Sequence, residues 1–246
     1  MLKKVAKKIK SRWYDSLAPY FREGIKGRAD REIFNSIDHL VDSHFTSYSA
    51  SDHPCKHTLK TALQLLNKKP AVILETGSSA WGTNSSLLFD SYVNSFGGSF
   101  LSVDIRSEPM FTLGALCTKN SEFYCDDSVS FLTKYALHHP VFNLVYLDSW
   151  DVDWEKPIAS AIHGMNEFLT LLPLLIKNKA LLLVDDTPFN SGVMMKVAPR
   201  YIVDFEKFTQ LYGFTPGKGG LIKNFLVKNG IGNEVMHDYQ LLWQFN

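Results

Sequence analysis

Apolar and polar positions along this chain fall into two textures. Up to about residue 69, apolar residues recur at helical spacing: Ile33, Ile37, Leu40 and Val41, then Leu59, Ala62, Leu63, Leu65 and Leu66, with the turn-rich stretch SYSASDHPC between them. Stripes repeating every three to four residues belong to helices that bury one face. From residue 70 short apolar runs take over: AVILE (71–75), FLSVD (100–104), EFYCD (122–126), NLVYLD (143–148) and ALLLVDD (180–186). Short continuous runs of this kind suit strands buried on both faces. The intervening segments 83–95, 109–118, 128–137 and 158–177 are long enough for crossover helices. Strand, helix, strand at this rhythm predicts an α/β fold, a doubly wound, mostly parallel sheet with helices on both faces. LIKNFLVKNG then reads as a helix with Gly230 as its C-cap, and EVMHDYQLLWQF as a closing strand or hairpin. The expected organisation is an N-terminal helical cap over residues 1–69 and a main domain over 70–246. Within the latter, 188–220 is long and contains Pro, Gly and Met, as a lid insertion would.

At the extreme N-terminus Leu2, Val5, Ile9 and Trp13 share a helical stripe among Lys3, Lys4, Lys7, Lys8 and Lys10. The expectation is a helix packed on its own domain with a solvated lysine face. Association with an anionic surface is the alternative reading of the same pattern. No apolar stretch follows these charges, as a secretory signal would require, and no run approaches the roughly 18 apolar residues of a membrane span. With 45% hydrophobic residues and a net charge of +1 over 246 residues, the composition is that of a globular protein without a nucleic-acid-binding charge excess. Cys55, Cys117 and Cys125 show no CxxC spacing, so reduced thiols and a cytoplasmic location are expected.

Each of the five strand-like runs ends in acid: Glu75, Asp104, Asp126/Asp127, Asp148 and Asp185/Asp186. One such acid is commonly a helix cap. Five in succession, at the carboxyl ends where open α/β sheets bind ligands, point to a site. The turn after the first run, Gly77-Ser-Ser-Ala-Trp-Gly82-Thr83-Asn84, has the glycine spacing of a phosphate loop, but Thr83 stands where that loop needs lysine. A dinucleotide fingerprint fits poorly too, because Ser79 replaces its second glycine.

The ordered stretches ILETGSSAWGTNS, FLSVDIR, FYCDDSVSFL, NLVYLDSWD and LLLVDDTP resemble the class I S-adenosylmethionine-dependent methyltransferases. The resemblance implies a Rossmann-like seven-stranded sheet and S-adenosylmethionine as cofactor. It places Glu75 by the methionine end, Gly77 at the close backbone approach, Asp104 on the ribose hydroxyls, and Asp127 and Ser128 beside the adenine. Ser78, Ser85, Ile105 and Asp148 complete the implied cofactor set.

Asp148 with Asp185 and Asp186 further resembles the ligand set of the cation-dependent O-methyltransferases of the caffeoyl-CoA, catechol and macrocin types. Three converging carboxylates suit Mg²⁺ or another hard divalent ion, and would repel one another without a cation. The simpler reading has Asp185 as a cap and Asp186 paired to a lysine. The phenol-type enzymes carry a lysine three residues beyond the first acidic ligand, where this chain has Asp151. The candidate bases are therefore His163, at the start of the helical run HGMNEFLTLLPLL, and Asp151.

The implied reaction is methylation of a hydroxyl on a small molecule: a sugar, a phenol or a natural product. LDSW is unlike the motif with which DNA methyltransferases grip a flipped base, so nucleic acid is not expected as acceptor. Trp81, Trp150, Trp154, Phe189 and Tyr201 could line an acceptor pocket or simply pack. A nicotinamide-dependent oxidoreductase on the same scaffold and a catalytically silent S-adenosylmethionine-binding accessory protein are the alternatives. A homodimer is compatible with the sequence.

Overall fold

The computed structural model describes residues 24–79, 82–135, 137–138 and 141–246, so the basic stripe from Leu2 to Trp13 and Trp81 lie outside the described residues. In chain order the elements are β1 (Ile25–Lys26), α1 (Ile37–Tyr48), α2 (Lys56–Leu65), β2 (Ala71–Thr76), α3 (Ser85–Phe96), β3 (Gly98–Asp104), α4 (Ser107–Leu116) and β4 (Ser121–Cys125). They continue as α5 (Ser128–Tyr135), β5 (Leu144–Leu147), α6 (Ile158–Asn178), β6 (Leu181–Val184), α7 (Ser191–Val197), a 3₁₀ turn (Pro199–Tyr201), α8 (Ile202–Tyr212), α9 (Gly220–Asn229), β7 (Asn233–His237) and β8 (Leu241–Gln244).

The strands form a sheet in the order β1-β4-β3-β2-β5-β6-β8-β7. From β4 to β6 the pairings are parallel; β8 pairs antiparallel with β6, and β7 with β8. The expected seven strands become eight because Ile25 and Lys26 add a short antiparallel strand against Phe123 and Glu122. The closing segment is the β7–β8 hairpin, and Gly230 caps α9 with φ +62°.

Successive residues of the inner strands point to opposite faces, and both faces are buried. Ile73, Phe100, Tyr146 and Leu183 enter a core with Val41 of α1, Leu63 of α2 and Phe89 of α3. Their neighbours Leu74, Leu101, Val145 and Leu182 enter the opposite core with Phe131 of α5, Phe168 and Leu171 of α6 and Leu226 of α9. Continuous burial is why these strands read as unbroken apolar runs rather than alternating ones.

By length and composition α6 could cross a membrane, contrary to the expectation that no such run exists. One face of it nevertheless packs on the sheet through Phe168, Leu171 and Leu175, and it buries a carboxylate, Glu167. It is a core helix that begins at Ile158, so His163 lies in its second turn and does not open it.

The register carries the strand ends to one line. Gly77 N donates to Val103 O, Asp148 N to Thr76 O and Asp185 N to Leu147 O, at 2.8, 2.9 and 3.0 Å. The order reverses at β2, which pairs with both β3 and β5. Sheets of this kind bind ligands at that crevice.

Candidate functional site

At the end of β2, Glu75 is fully buried. Its carboxylate accepts hydrogen bonds from Ser85 Oγ at 2.5 Å, Ser102 Oγ at 2.6 Å and Ser86 Oγ. Burial pushes its pKa up to about 7, against the pull of the three hydroxyls. Ser86 Oγ also accepts from Ser79 N at 2.8 Å, and Ser78 Oγ lies 2.7 Å from Ser102 Oγ. The acid therefore ties β2, β3, the turn and the first turn of α3 into one polar knot.

Gly77, at φ +80°, sits against the next strand: a Cβ there would lie 2.5 Å from the Asp148 carbonyl oxygen. Glycine is required at that position by the β2–β5 crossing itself. The far side of the turn is held by α1 and the loop after it, with His44 Nε2 2.8 Å from Thr83 O and Asn84 Nδ2 donating to Tyr48 O at 2.5 Å.

Asp104, at the end of β3, accepts from Ser78 N at 3.0 Å, from Arg106 N at 2.7 Å, and from Arg106 Nε and Nη2 at 2.9 and 2.6 Å. The Arg106 side chain is 66% exposed, whereas that of Asp104 is 4% exposed. The arginine is thus the solvent-facing half of the pair. Ile105 is exposed. Asp127 caps α5 by accepting from Ser130 N at 2.9 Å, and Asp126 pairs loosely with Lys134 at 3.4 Å.

Ser128 lies at the base of the same helix, its Oγ 3.1 Å from His163 Nε2. That nitrogen is also 3.0 Å from Ser149 Oγ and 3.5 Å from Glu167 Oε1, while Ser149 Oγ donates to Glu167 Oε1 at 2.6 Å. Glu167 raises the His163 pKa above the usual imidazole value, with burial opposing it. Trp150 lies against the His163 ring with centroids 5.2 Å apart.

Beyond β5 and β6, ligand atoms of Asp148, Asp185 and Asp186 all lie within 4.8 Å of one another. Asp185 Oδ1 accepts from Gln240 Nε2 at 2.6 Å and Asp186 Oδ1 from Tyr239 OH at 2.5 Å, both donors coming from the hairpin turn. Burial and the neighbouring Asp185 charge push the Asp148 carboxyl well above the ordinary carboxylate range. Cys55 closes the floor with its Sγ 3.6 Å from Asp185 Oδ1, its thiol raised by burial and by that charge.

Lys218 enters this cluster from the turn before α9. Its Nζ donates to Asp148 Oδ1 at 2.5 Å and lies 3.0 Å from Asp186 Oδ2. Burial alone would lower its pKa, but the surrounding carboxylates outweigh burial and hold it well above the ordinary lysine value.

The structure thus brings together Asp148, Asp185 and Asp186, and separately Ser128 with His163. Asp151 is exposed and stands outside the carboxylate cluster. The strand-end rule cannot reveal Lys218, Gln240 or Tyr239, which come from turns. The signal that sequence does carry is the run of glycines around Lys218, crowded as backbone rarely is unless something must approach closely.

Among solved structures, the chain is similar to MycE, a methyltransferase of the mycinamycin biosynthetic pathway, in complex with Mg and S-adenosylhomocysteine: TM-score 0.57, 15% identity, covering 85% of this chain and 54% of MycE. The same protein in complex with Mg, S-adenosylhomocysteine and mycinamycin VI matches with TM-score 0.57 and 16% identity, covering 85% and 54%. The S-adenosylhomocysteine-bound Podospora anserina methyltransferase PaMTH1 matches with TM-score 0.50 and 11% identity, covering 96% of both chains. The chain spans about half the length of MycE. No protein-family model matches it, and no curated protein matches it by sequence. The chain shares its fold with these methyltransferases.

Proposed function

We propose that this protein transfers a methyl group from S-adenosylmethionine to a hydroxyl of a small molecule, with a divalent cation held by Asp148, Asp185 and Asp186. The observation that carries this reading is the three-carboxylate cluster, within 4.8 Å at the carboxyl edge of the sheet and beside the strand-order reversal. Oxygen-only donors of this density fit Mg²⁺ or Mn²⁺. Such an ion, when bound, supplies Lewis acidity that lowers the pKa of a coordinated hydroxyl.

The chain's own residues do the rest. Gln240 and Tyr239 orient Asp185 and Asp186 through the Oδ1 atom of each. Asp104 would take the ribose hydroxyls in exchange for the exposed Arg106 fork, and Ser128 would border the base. Gly77 keeps the β2 end free of a side chain beside Asp148. Of the two candidate bases, His163 has the better supported geometry. Its Nε2 is 3.0 Å from Ser149 Oγ, next in sequence to Asp148, and Glu167 strengthens its basicity. Most of the acceleration would come from holding donor and acceptor in line.

Calorimetry tests this directly. Wild type should bind S-adenosylhomocysteine and not NAD, and Asp104→Ala should lose that binding. Asp185→Ala should keep S-adenosylhomocysteine and lose Mn²⁺. Once an acceptor is known, methyl transfer should stop in EDTA. Binding of NAD without S-adenosylhomocysteine, or transfer that continues in EDTA, would overturn the assignment or its metal half respectively.

A further inference from the structure

Asp186 is paired to a lysine, as the simpler reading of the sequence has it; that lysine is Lys218, and the fold goes to unusual lengths to put it there. A Cβ on Gly217 would lie 2.0 Å from Asp186 O, one on Gly219 2.6 Å from Thr187 Oγ1, and one on Gly164 of α6 2.6 Å from Lys218 O. The turn is therefore wedged between the β6 end and α6, at positions that tolerate no side chain. It is pinned there as well: Lys218 N donates to Asp186 O at 3.2 Å and Gly219 N to Thr187 Oγ1 at 2.9 Å. The side chain is 3% exposed and its ammonium has three oxygens in reach: Asp148 Oδ1 at 2.5 Å, Asp186 Oδ2 at 3.0 Å and Asp148 O at 3.1 Å. Two of these belong to the carboxylates that would ligate the cation.

We propose that Lys218 is a chain-borne counter-ion of the carboxylate cluster, which holds Asp148 and Asp186 together when no divalent ion is bound and competes with that ion for their oxygens. The inference rests on the metal-site reading above. Charge counting supports it. Counted with all three acids ionised, as cation ligands must be, three carboxylates and one ammonium leave two formal negative charges, enough for one divalent ion, but two of the ligands must first be drawn away from the lysine. Because the backbone around Lys218 is wedged, the ammonium can retreat only by rotation of its own side chain. It stays close enough to repel an incoming cation. Lys218 is in these terms a positioning residue that sets cation affinity below what three unpaired carboxylates would give, and that keeps the empty cluster from flying apart.

Titration calorimetry with MnCl₂ on the full chain tests this, comparing wild type with Lys218→Met and with Lys218→Gln. The glutamine variant keeps hydrogen-bond donors and covers the case in which the methionine variant does not fold. The expected result is Mn²⁺ bound at least tenfold more tightly by a folded neutral variant, about 1.4 kcal/mol. A lower melting temperature in EDTA should accompany it, with a larger rise on adding Mn²⁺ than in wild type. Loss of a purely structural lysine would loosen the site and weaken binding instead, so equal or weaker Mn²⁺ affinity overturns the proposal. Failure of the two readings is distinguishable. If wild type binds Mn²⁺ and the variants bind it no tighter, the counter-ion role falls and the metal site stands. If wild type does not bind and a variant does, competition stands and the native chain does not use the metal. If neither binds, both fall.

Discussion

Replacing Glu75 by glutamine removes a buried ionisable group while keeping its size and one of its two accepting oxygens, the serine facing the amide nitrogen having to turn its hydroxyl to accept. In the folded protein the carboxyl is pushed from the ordinary 4.5 to about 7, because burial outweighs the three serine hydroxyls. At about 1.36 kcal/mol per pKa unit, that difference is worth roughly 3 kcal/mol. The folded state holds this proton more tightly than the unfolded chain. Between pH 4.5 and 7 the unfolded state therefore binds fewer protons, and stability falls as pH rises. Below that window the side chain is neutral in both states and contributes no penalty; above it the full penalty applies. Glutamine cannot ionise, so the Glu75→Gln variant should gain on wild type by about 3 kcal/mol from the bottom of the window to the top. Urea unfolding of both proteins at several pH values, from about 4.5 to about 8.5, measures this difference. Other titrating groups cancel in the comparison. A difference that stays within about 1 kcal/mol across the range would refute the claim that burial controls this acid.

Asp90 on α3 is fully buried and accepts from Thr118 N, Thr118 Oγ1, Ser121 Oγ and Arg31 Nη1. Asp90→Ala would strand the three donors from Thr118 and Ser121 and leave the Arg31 guanidinium without its carboxylate, holding only the Leu87 carbonyl at 3.0 Å; it should lower the unfolding free energy by about 3–5 kcal/mol in urea. Gly213 and Gly217 both have positive φ, but a Cβ on Gly213 meets nothing within 4 Å whereas one on Gly217 meets Asp186 O at 2.0 Å. Gly213→Ala should thus cost about 1 kcal/mol and Gly217→Ala well over 2 kcal/mol by the same measurement; equal costs would show that the turn relaxes freely. Asn190 caps α7 by accepting from Val193 N at 3.0 Å. Asn190→Ala should cost about 1 kcal/mol, and an unchanged unfolding midpoint would mean that α7 opens before the rest.

Where the fold is legible in the sequence, one rule suffices: each inner strand is buried on both faces and appears as an apolar run, and each run ends in an acid at the carboxyl edge of the sheet. That rule alone places Asp104, Asp148 and Asp185 at strand ends, and the strand order makes the last two neighbours. It fails for β1, since Ile25-Lys26 is too short to show a pattern and owes its strand to β4. Asp127, which closes the third run, also caps α5. Glu75 stands out in the sequence, yet its three serine donors come from two further elements and no local spacing announces them. Lys218 is the largest gap. The turn PGKGG reads as part of a lid, and only tertiary packing turns its lysine inward. The apolar pattern also puts His163 at the start of its helix, whereas α6 starts at Ile158, directly after Pro157.

The two-residue strand β1 has a consequence for how the chain is made. Edge strands left open invite pairing with other molecules, and β4 would be such an edge without Ile25 and Lys26 along it. Those residues lie far upstream of β4, so during synthesis, which proceeds from the N-terminus, they already exist when β4 appears. The opposite margin has no such advantage: β6 waits for β8, which follows only after α7, α8 and α9, and β7 must reach its own place by pairing with β8. A nascent chain of this protein is therefore sealed on one side early and open on the other until the hairpin is made. The interval before that hairpin closes is when aggregation is the greatest hazard.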